Sequence, residues 1–350
     1  MSVITIIGSG MMGSALAFPA RENGHEVRLV GTHLDREIID TCRKTNRHPK
    51  FDRDFPAGLS YYQIEEVEEA LVGTDIVIGG VSSFGVEWFG EKILPILPEG
   101  MVVLTVTKGL LDTEDGRLIT YPAYWQQKLD EMGKNISLNA VGGPCTSYEL
   151  VAHDQTEVAF CGKDLSVLRM LKETMTTSYY HISITTDITG IESAVALKNG
   201  YALGVALTVG LCQKEFGKDS PLHFNSQAGI FGQSLKEMTK LLEFQNAYST
   251  RNLSVGIGDL YVTVYGGRTR LVGILLGRGM SMQEAEEELK GVTLESLVVA
   301  KRVARVIRYH AERGTLDMKD FPLLLHIDEI LTKNAPVVIP WEAFTYAEEV

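Results

Sequence analysis

The run Gly8-Ser9-Gly10-Met11-Met12-Gly13 constrains this chain more than any other stretch of its 350 residues. It fits G-x-G-x-x-G, a pattern that is weak alone. Its surroundings give it weight. The apolar run Val3–Ile7 precedes it, the small residues Ser14-Ala15-Leu16-Ala17 follow it, and a second apolar run, Val27–Gly31, comes at a suitable distance. That order predicts a strand, a tight turn, a helix through about Asn23 and a second strand. Gly8 permits the turn, Gly10 lets a pyrophosphate approach the backbone, and Gly13 lets helix and strand pack closely. The unpaired N–H groups of the helix start then face the phosphates. The competing reading is a glycine turn in an unrelated α/β protein.

Further apolar runs at Ile76–Val81, Val102–Val106, Asn139–Gly143 and Val158–Cys161 read as strands, and Ile64–Leu71 and Trp88–Leu97 carry helical patterns. Strands alternating with helices predict a parallel sheet with right-handed crossovers. From about Gly190 the pattern changes to long helices: Gly190–Phe216, Ala228–Leu242, Ser281–Leu289, Leu294–Ala311 and, after Phe321-Pro322, Leu323–Leu331. The expected fold class is α/β, with an N-terminal Rossmann doubly wound parallel sheet (residues 1–188) and a C-terminal all-α domain (residues 189–350). Two domains agree with roughly 150 residues each.

The composition excludes several classes. Hydrophobic residues make up 45% and charged residues 22%, as in a folded chain, and the net charge of −12 argues against general binding to nucleic acid or anionic membranes. The N-terminus turns glycine-rich after seven residues without a basic start, so no secretory signal is visible. The longest nearly uncharged run, Ser193 to Gln213, contains Lys198. Only about 15 uncharged positions follow that lysine, short of the ~20 needed to span a bilayer, so no membrane insertion is expected. Cys42, Cys145, Cys161 and Cys212 form no CxxC pair, which suggests reduced thiols and a cytoplasmic location. His25, His153, His181 and His223 show no ligand spacing, and no metal site is expected. Cys145 has no activating histidine in its pattern and is discounted as a nucleophile.

The end of the second strand bears on which dinucleotide binds. An NAD site usually places Asp or Glu there, about 20 residues past the turn, for the ribose 2′-hydroxyl. Here the stretch is Gly31-Thr32-His33-Leu34-Asp35-Arg36. Thr32 offers a donor to a phosphate oxygen, and His33 and Arg36 add positive charge, which favours NADP. Asp35 is the counter-evidence, since a small loop shift brings it to the ribose, and NAD stays open.

Three cations and one carboxylate carry the chemistry. Lys198 lies on a helix apolar around most of its circumference, where desolvation lowers a lysine pKa toward the range useful for proton transfer. The alternative is a lysine snorkelling from a helix edge. Lys108, in Val106-Thr107-Lys108-Gly109-Leu110, follows a strand's carboxyl end, the edge where open parallel sheets bind ligands. Gly256-Ile257-Gly258-Asp259-Leu260 places a carboxylate among small residues, from which it can reach a buried lysine. Tyr265-Gly266-Gly267-Arg268-Thr269-Arg270 sets a guanidinium fork beside glycines, suited to phosphate. The alternative for this segment is a turn with ordinary surface arginines.

As a set, these residues resemble the NAD(P)-dependent glycerol-3-phosphate dehydrogenase family. The resemblance spans Gly8–Gly13, Thr107-Lys108-Gly109-Leu110, Gly143-Pro144, Glu149, Leu197-Lys198-Asn199, Gly258-Asp259-Leu260 and Tyr265–Arg270. It implies a substrate site in the cleft between a Rossmann and an α-helical domain, and reduction of dihydroxyacetone phosphate to sn-glycerol 3-phosphate or the reverse, feeding phospholipid synthesis. Lys198 is similar to the family's general acid/base, Asp259 to its hydrogen-bonded partner and Lys108 to a second active-site lysine. Asn199 and Thr263 match polar substrate contacts, and Arg268 matches the arginine that holds the substrate phosphate, with Thr269 beside it. The implied cofactor contacts are Gly8, Ser9, Gly10, Met11, Met12, Gly13, Thr32, His33, Ser83, Lys108, Arg268 and Glu295.

The chain departs from the family where Thr269 replaces the usual Asn, where Met11-Met12 replaces a frequent aromatic, and in the unusual stretch Cys145-Thr146-Ser147-Tyr148-Glu149. These departures keep two alternatives in view. One is a related polyol-phosphate or β-hydroxyacid dehydrogenase, and the other is a non-catalytic dinucleotide sensor. The expected partner is a phosphorylated small molecule. Apolar residues in Leu323–Leu331 and Val337-Val338-Ile339-Pro340-Trp341 leave a homodimer open.

Overall fold

The computed structural model describes the backbone of residues 1–290 and 295–344 and the side chains of residues 1–290 and 297–344. The strands are β1 (Val3–Ile7), β2 (Glu26–Val30), β3 (Leu59–Tyr62), β4 (Ile76–Gly79), β5 (Val102–Thr105), β6 (Leu110–Asp112), β7 (Leu118–Thr120), β8 (Ser137–Gly142), β9 (Thr156–Gly162) and β10 (Tyr180–Thr185). The described residues fall into two compact units, Met1–Lys108 with Thr120–Glu192 and Gly109–Ile119 with Ser193–Val350.

The first unit is built on an eight-stranded sheet of order β10-β9-β8-β5-β4-β1-β2-β3. All neighbours pair in parallel except β8 and β9, which are antiparallel. β1 is central because it is apolar on both faces: Ile4, Ile6 and Ile7 are fully buried, and buried Thr5 donates its hydroxyl to the Ala70 carbonyl at 2.9 Å. The strand order reverses beside β1, which pairs with β2 on one side and β4 on the other. A reversal of this kind opens a crevice at the carboxyl ends of the strands.

Several local expectations differ from what forms. The helix expected through Asn23 is two pieces, Met11–Ala15 and Ala17–Glu22. Pro19 explains the break, since it has no N–H to give Ala15 and its ring crowds that carbonyl. The Trp88–Leu97 pattern forms a π-helical turn, Phe89–Ile93, followed by a 3-10 turn at Leu94–Ile96 that contains Pro95. β3, β10 and the β6–β7 hairpin were absent from the sequence-based expectation.

The second unit is mostly helical. Its helices are Ile188–Phe216 (which begins just before the unit division), Phe224–Phe244, Thr250–Tyr265, Gly267–Gly277, Met282–Glu288, Glu295–Ala311 and Pro322–Lys333. Ile188–Phe216 passes the length and hydropathy test for a membrane span, and 83% of its apolar window is buried inside the protein. The 1–188 range placed the hairpin after Lys108 with the sheet, but residues 109–119 cluster with the helices. The cause is packing: Leu110 is fully buried in the helical core, and Arg302 donates to its carbonyl at 2.8 Å. Arg305 also pairs with Asp112 at 2.8 Å, and His310 Nε2 donates to the Gly116 carbonyl at 3.0 Å.

Glu237 anchors this helical core. Its buried carboxylate accepts the N–H groups of Leu323 at 2.8 Å and Leu324 at 3.0 Å, at the start of the Pro322–Lys333 helix, and Gln233 Nε2 at 2.9 Å. Burial pushes its pKa up to about 7 from an ordinary 4.5. The folded state therefore binds this proton more tightly than the unfolded chain. The resulting stabilisation is complete below pH ~4.5 and is lost as pH rises through about 7. Relative to Glu237→Gln, the chain should lose about 3 kcal/mol of stability across that window. Denaturant titrations of both proteins from pH 4.5 to 8 would show this, and parallel curves would contradict it.

Candidate active site

In the first unit the glycine turn forms at the carboxyl end of β1. Gly8 has φ +106°, a conformation that favours glycine, and a Cβ there would lie 2.7 Å from the Gly80 carbonyl carbon. A Cβ on Gly13 would stand 2.5 Å from the Gly8 carbonyl oxygen and 3.0 Å from Gly80 Cα. Gly8, Gly13 and Gly80 therefore let three backbone segments touch. Gly10 is different: within 4 Å its Cβ would meet only the Gly80 oxygen, at 3.7 Å.

No side chain caps the Met11–Ala15 helix, and the buried Ser9 and Ser14 hydroxyls have no hydrogen-bond partner among the described residues. Open backbone before Gly10, uncapped N–H groups and orphaned hydroxyls suit a bound diphosphate. A dinucleotide fits this donor set.

The residues expected at the adenosine end are arranged differently from the sequence reading. Thr32 Oγ1 donates to Asp35 Oδ2 at 2.8 Å, and Arg36 is ion-paired with Glu65. Asp35 turns inward. Exposed His33 lies with its ring 5.8 Å from that of Trp88, a neighbour the sequence did not suggest. Ser83 is half-buried in a short turn after β4.

Lys108 stands past β5, and its Nζ donates to the Gly143 carbonyl at 3.0 Å, joining the loops after β5 and β8. Thr107 Oγ1 ties the same loop to the Val81 carbonyl at 2.6 Å.

In the second unit, Lys198 and Asn199 are the only residues from Ile191 to Gly210 that are not buried. Lys198 Nζ is ion-paired and hydrogen-bonded to Asp259 Oδ1, with side-chain exposures of 13% and 1%. Asp259 reaches it from the middle of the Thr250–Tyr265 helix. Gly256 is why the two helices come this close: a Cβ there would lie 2.9 Å from that of Ala194, one turn before the ion pair. The Gly256–Leu260 segment is therefore helix, and its first glycine serves packing.

Thr263 Oγ1 donates to the Asp259 carbonyl at 2.7 Å. The Gly267–Gly277 helix begins after Gly266 without a side-chain cap. Arg268, in its first turn, is exposed and has no hydrogen-bond or ion-pair partner among the described residues. Thr269 beside it is buried at 6%. Arg270 instead caps the preceding helix, donating to the Val264 carbonyl at 2.8 Å. The Glu295 side chain lies outside the described residues. Among the described residues no group of three or more His, Cys, Asp or Glu is placed to hold a metal.

Removing one member of a buried ion pair leaves an uncompensated charge, at a cost of about 3–5 kcal/mol, whereas replacing both with apolar residues is far milder. Asp259→Ala should therefore lower the unfolding free energy by about 3 kcal/mol. Asp259→Leu combined with Lys198→Met should restore most of it. A double-mutant cycle read by denaturant unfolding checks this, and strictly additive losses would contradict it.

The model of the NAD-dependent glycerol-3-phosphate dehydrogenase N-terminus matches residues 3–167, and that of the C-terminus matches residues 187–340. An NADP(+)-dependent glycerol-3-phosphate dehydrogenase of Archaeoglobus fulgidus is 34% identical over 320 residues, covering 90% of this chain and 93% of that protein. A glycerol-3-phosphate dehydrogenase [NAD(P)+] of Leuconostoc citreum is 28% identical over 344 residues, 96% of this chain and 95% of its own. The solved glycerol-3-phosphate dehydrogenase of Plasmodium falciparum shares the fold, with TM-score 0.82 at 20% identity over 100% of this chain and 96% of that one. By these matches the chain belongs to the NAD-dependent glycerol-3-phosphate dehydrogenase family.

Proposed function

We propose that this chain is an NAD(P)-dependent glycerol-3-phosphate dehydrogenase, reducing dihydroxyacetone phosphate to sn-glycerol 3-phosphate or running the reverse. The observation that carries the reading is the Lys198–Asp259 pair: a lysine held on a buried carboxylate in an otherwise buried stretch of helix, with Asn199 beside it. A lysine that only solubilised a helix would sit on a polar face.

A bound nicotinamide dinucleotide supplies the hydride that goes to the ketone carbon. As the carbonyl oxygen gains charge, Lys198 Nζ delivers a proton to it and is left neutral, to be recharged from solvent. Asp259 fixes that ammonium in place. Lys108 contributes a second positive charge that stabilises the developing alkoxide. Arg268 has its five donors unspent within the described residues and binds the substrate phosphate, aided by the uncapped start of its helix. Asn199 and Thr263 supply polar contacts to the hydroxyl groups. In the reverse direction Lys198 accepts the proton from the alcohol.

NADP is the dinucleotide we favour, with NAD as the second. The Archaeoglobus relative is named for NADP(+), and the one carboxylate of the Thr32–Arg36 stretch is occupied by the turn itself. The four cysteines are free thiols, in keeping with a reducing, cytoplasmic setting. The product is the backbone unit of phospholipids, which we take as its use.

Dihydroxyacetone phosphate should drive oxidation of NADPH, and more weakly of NADH, by the purified chain. Lys198→Ala should lower kcat at least ~100-fold. Arg268→Ala should act mainly on KM for the ketone, raising it about tenfold or more. Tight binding of either dinucleotide without turnover of this ketone would refute the substrate assignment.

A further inference from the structure

Ser9 is fully buried between Gly8 and Gly10, and both peptide planes that flank it are gripped from outside the turn. Its N–H donates to Asp35 Oδ2 at 3.2 Å, and its carbonyl accepts from His48 Nε2 at 3.1 Å. Asp35 is fixed in turn, since the same oxygen accepts the N–H and the hydroxyl of Thr32, each at 2.8 Å.

His48 is 1% exposed, and its ring centroid lies 4.6 Å from that of Phe51. Its Nδ1 accepts the Lys50 N–H at 3.1 Å. A ring that donates from one nitrogen to a carbonyl and accepts at the other from an amide is neutral, with its proton on Nε2. Burial pushes its pKa down, in keeping with that form.

We propose that Asp35 and His48 form a two-sided brace that sets the Gly8–Gly13 turn in its dinucleotide-binding conformation before the cofactor arrives. The inference rests on the reading of this turn as a dinucleotide site. In a trans peptide the carbonyl and the following N–H point in opposite directions. Anchoring the Ser9 carbonyl on His48 therefore aims the Gly10 N–H away from that ring. The Gly10 N–H makes no hydrogen bond among the described residues, and a Cβ on Gly10 would meet only the Gly80 carbonyl oxygen, at 3.7 Å. Glycines on both sides of Ser9 would otherwise leave these planes free to rotate. An unbraced turn has to be ordered when the ligand binds, and affinity falls by that ordering cost. The brace acts on the phosphate-facing turn, which NAD and NADP share, and so it serves both equally.

The test is direct titration of the full-length chain with NADPH and, separately, NADH, followed by the fluorescence of the reduced nicotinamide. His48→Ala and Asp35→Ala should each raise both dissociation constants about tenfold, by the same factor for the two dinucleotides. His48→Gln keeps a side-chain N–H donor and should recover most of the loss. In turnover the effect should fall mainly on KM for the dinucleotide. Hydrogen exchange provides a readout independent of binding: Asp35→Ala should speed exchange of the Ser9 amide while the β1 amides stay protected.

Unchanged dissociation constants in both alanine variants would overturn the proposal. So would a change in Asp35→Ala confined to one dinucleotide, which would place Asp35 on the ribose. If the unmodified chain bound neither dinucleotide, the cofactor reading would fall, and the brace with it. Intact binding without turnover of dihydroxyacetone phosphate would remove only the substrate assignment.

Discussion

The Lys198–Asp259 ion pair is the constraint around which the helical unit is arranged. Each charge is costly to bury where it sits, and the attraction of the other offsets much of that desolvation. The pair therefore fixes how the Ile188–Phe216 helix lies against Thr250–Tyr265, and the missing side chain at Gly256 is what permits that approach. Consequences run along both helices. Asn199 shares the one opening in an otherwise buried stretch. Arg268 lies in the first turn of the next helix, which begins at Gly267 after the single break residue Gly266. Small residues then hold its own helix against the lysine helix, where a Cβ on Gly277 would stand 2.3 Å from the Leu207 carbonyl oxygen.

The sheet unit solves a different problem, which is to offer backbone donors to an anion without a surplus of positive side chains. It does so where the strand order reverses at β1 and β4, with Gly8, Gly13 and Gly80 in mutual contact. Lys108 is bonded to the Gly143 carbonyl at the same carboxyl edge of the strands. An overall charge of −12 is compatible with this arrangement. Net charge describes the surface as a whole, while ligand binding depends on a few donors held in fixed directions.

Much of this was legible in the sequence because it followed local rules. The strands β1, β2, β4 and β5 announce themselves as apolar runs, and the G-x-G-x-x-G turn has few alternatives once a strand precedes it. Lys198 stood out because it interrupts an apolar helix. What was hidden depends on tertiary partners. The Thr250–Tyr265 helix was not among the expected elements, because it contains Gly256 and Gly258; close packing at Gly256 offsets the poor helix propensity of glycine. Leu110 gives no local sign that it is buried in the helical core. His48 comes shortly after a helix at Arg36–Thr45, in a polar stretch with no local signal, and only the fold brings it to Ser9. Asp35 was visible but ambiguous, since a carboxylate near a ribose site and one turned inward look alike in sequence.

The central claim is that Lys198 Nζ donates the proton, and chemical rescue tests it most directly. The Lys198→Ala chain, assayed with dihydroxyacetone phosphate and saturating NADPH, should regain turnover as a small primary amine such as methylamine is added. The rescued rate should rise with amine concentration and approach saturation, and an amine too bulky for the vacated space should give none. Near-normal turnover of Lys198→Ala without any amine would contradict the claim.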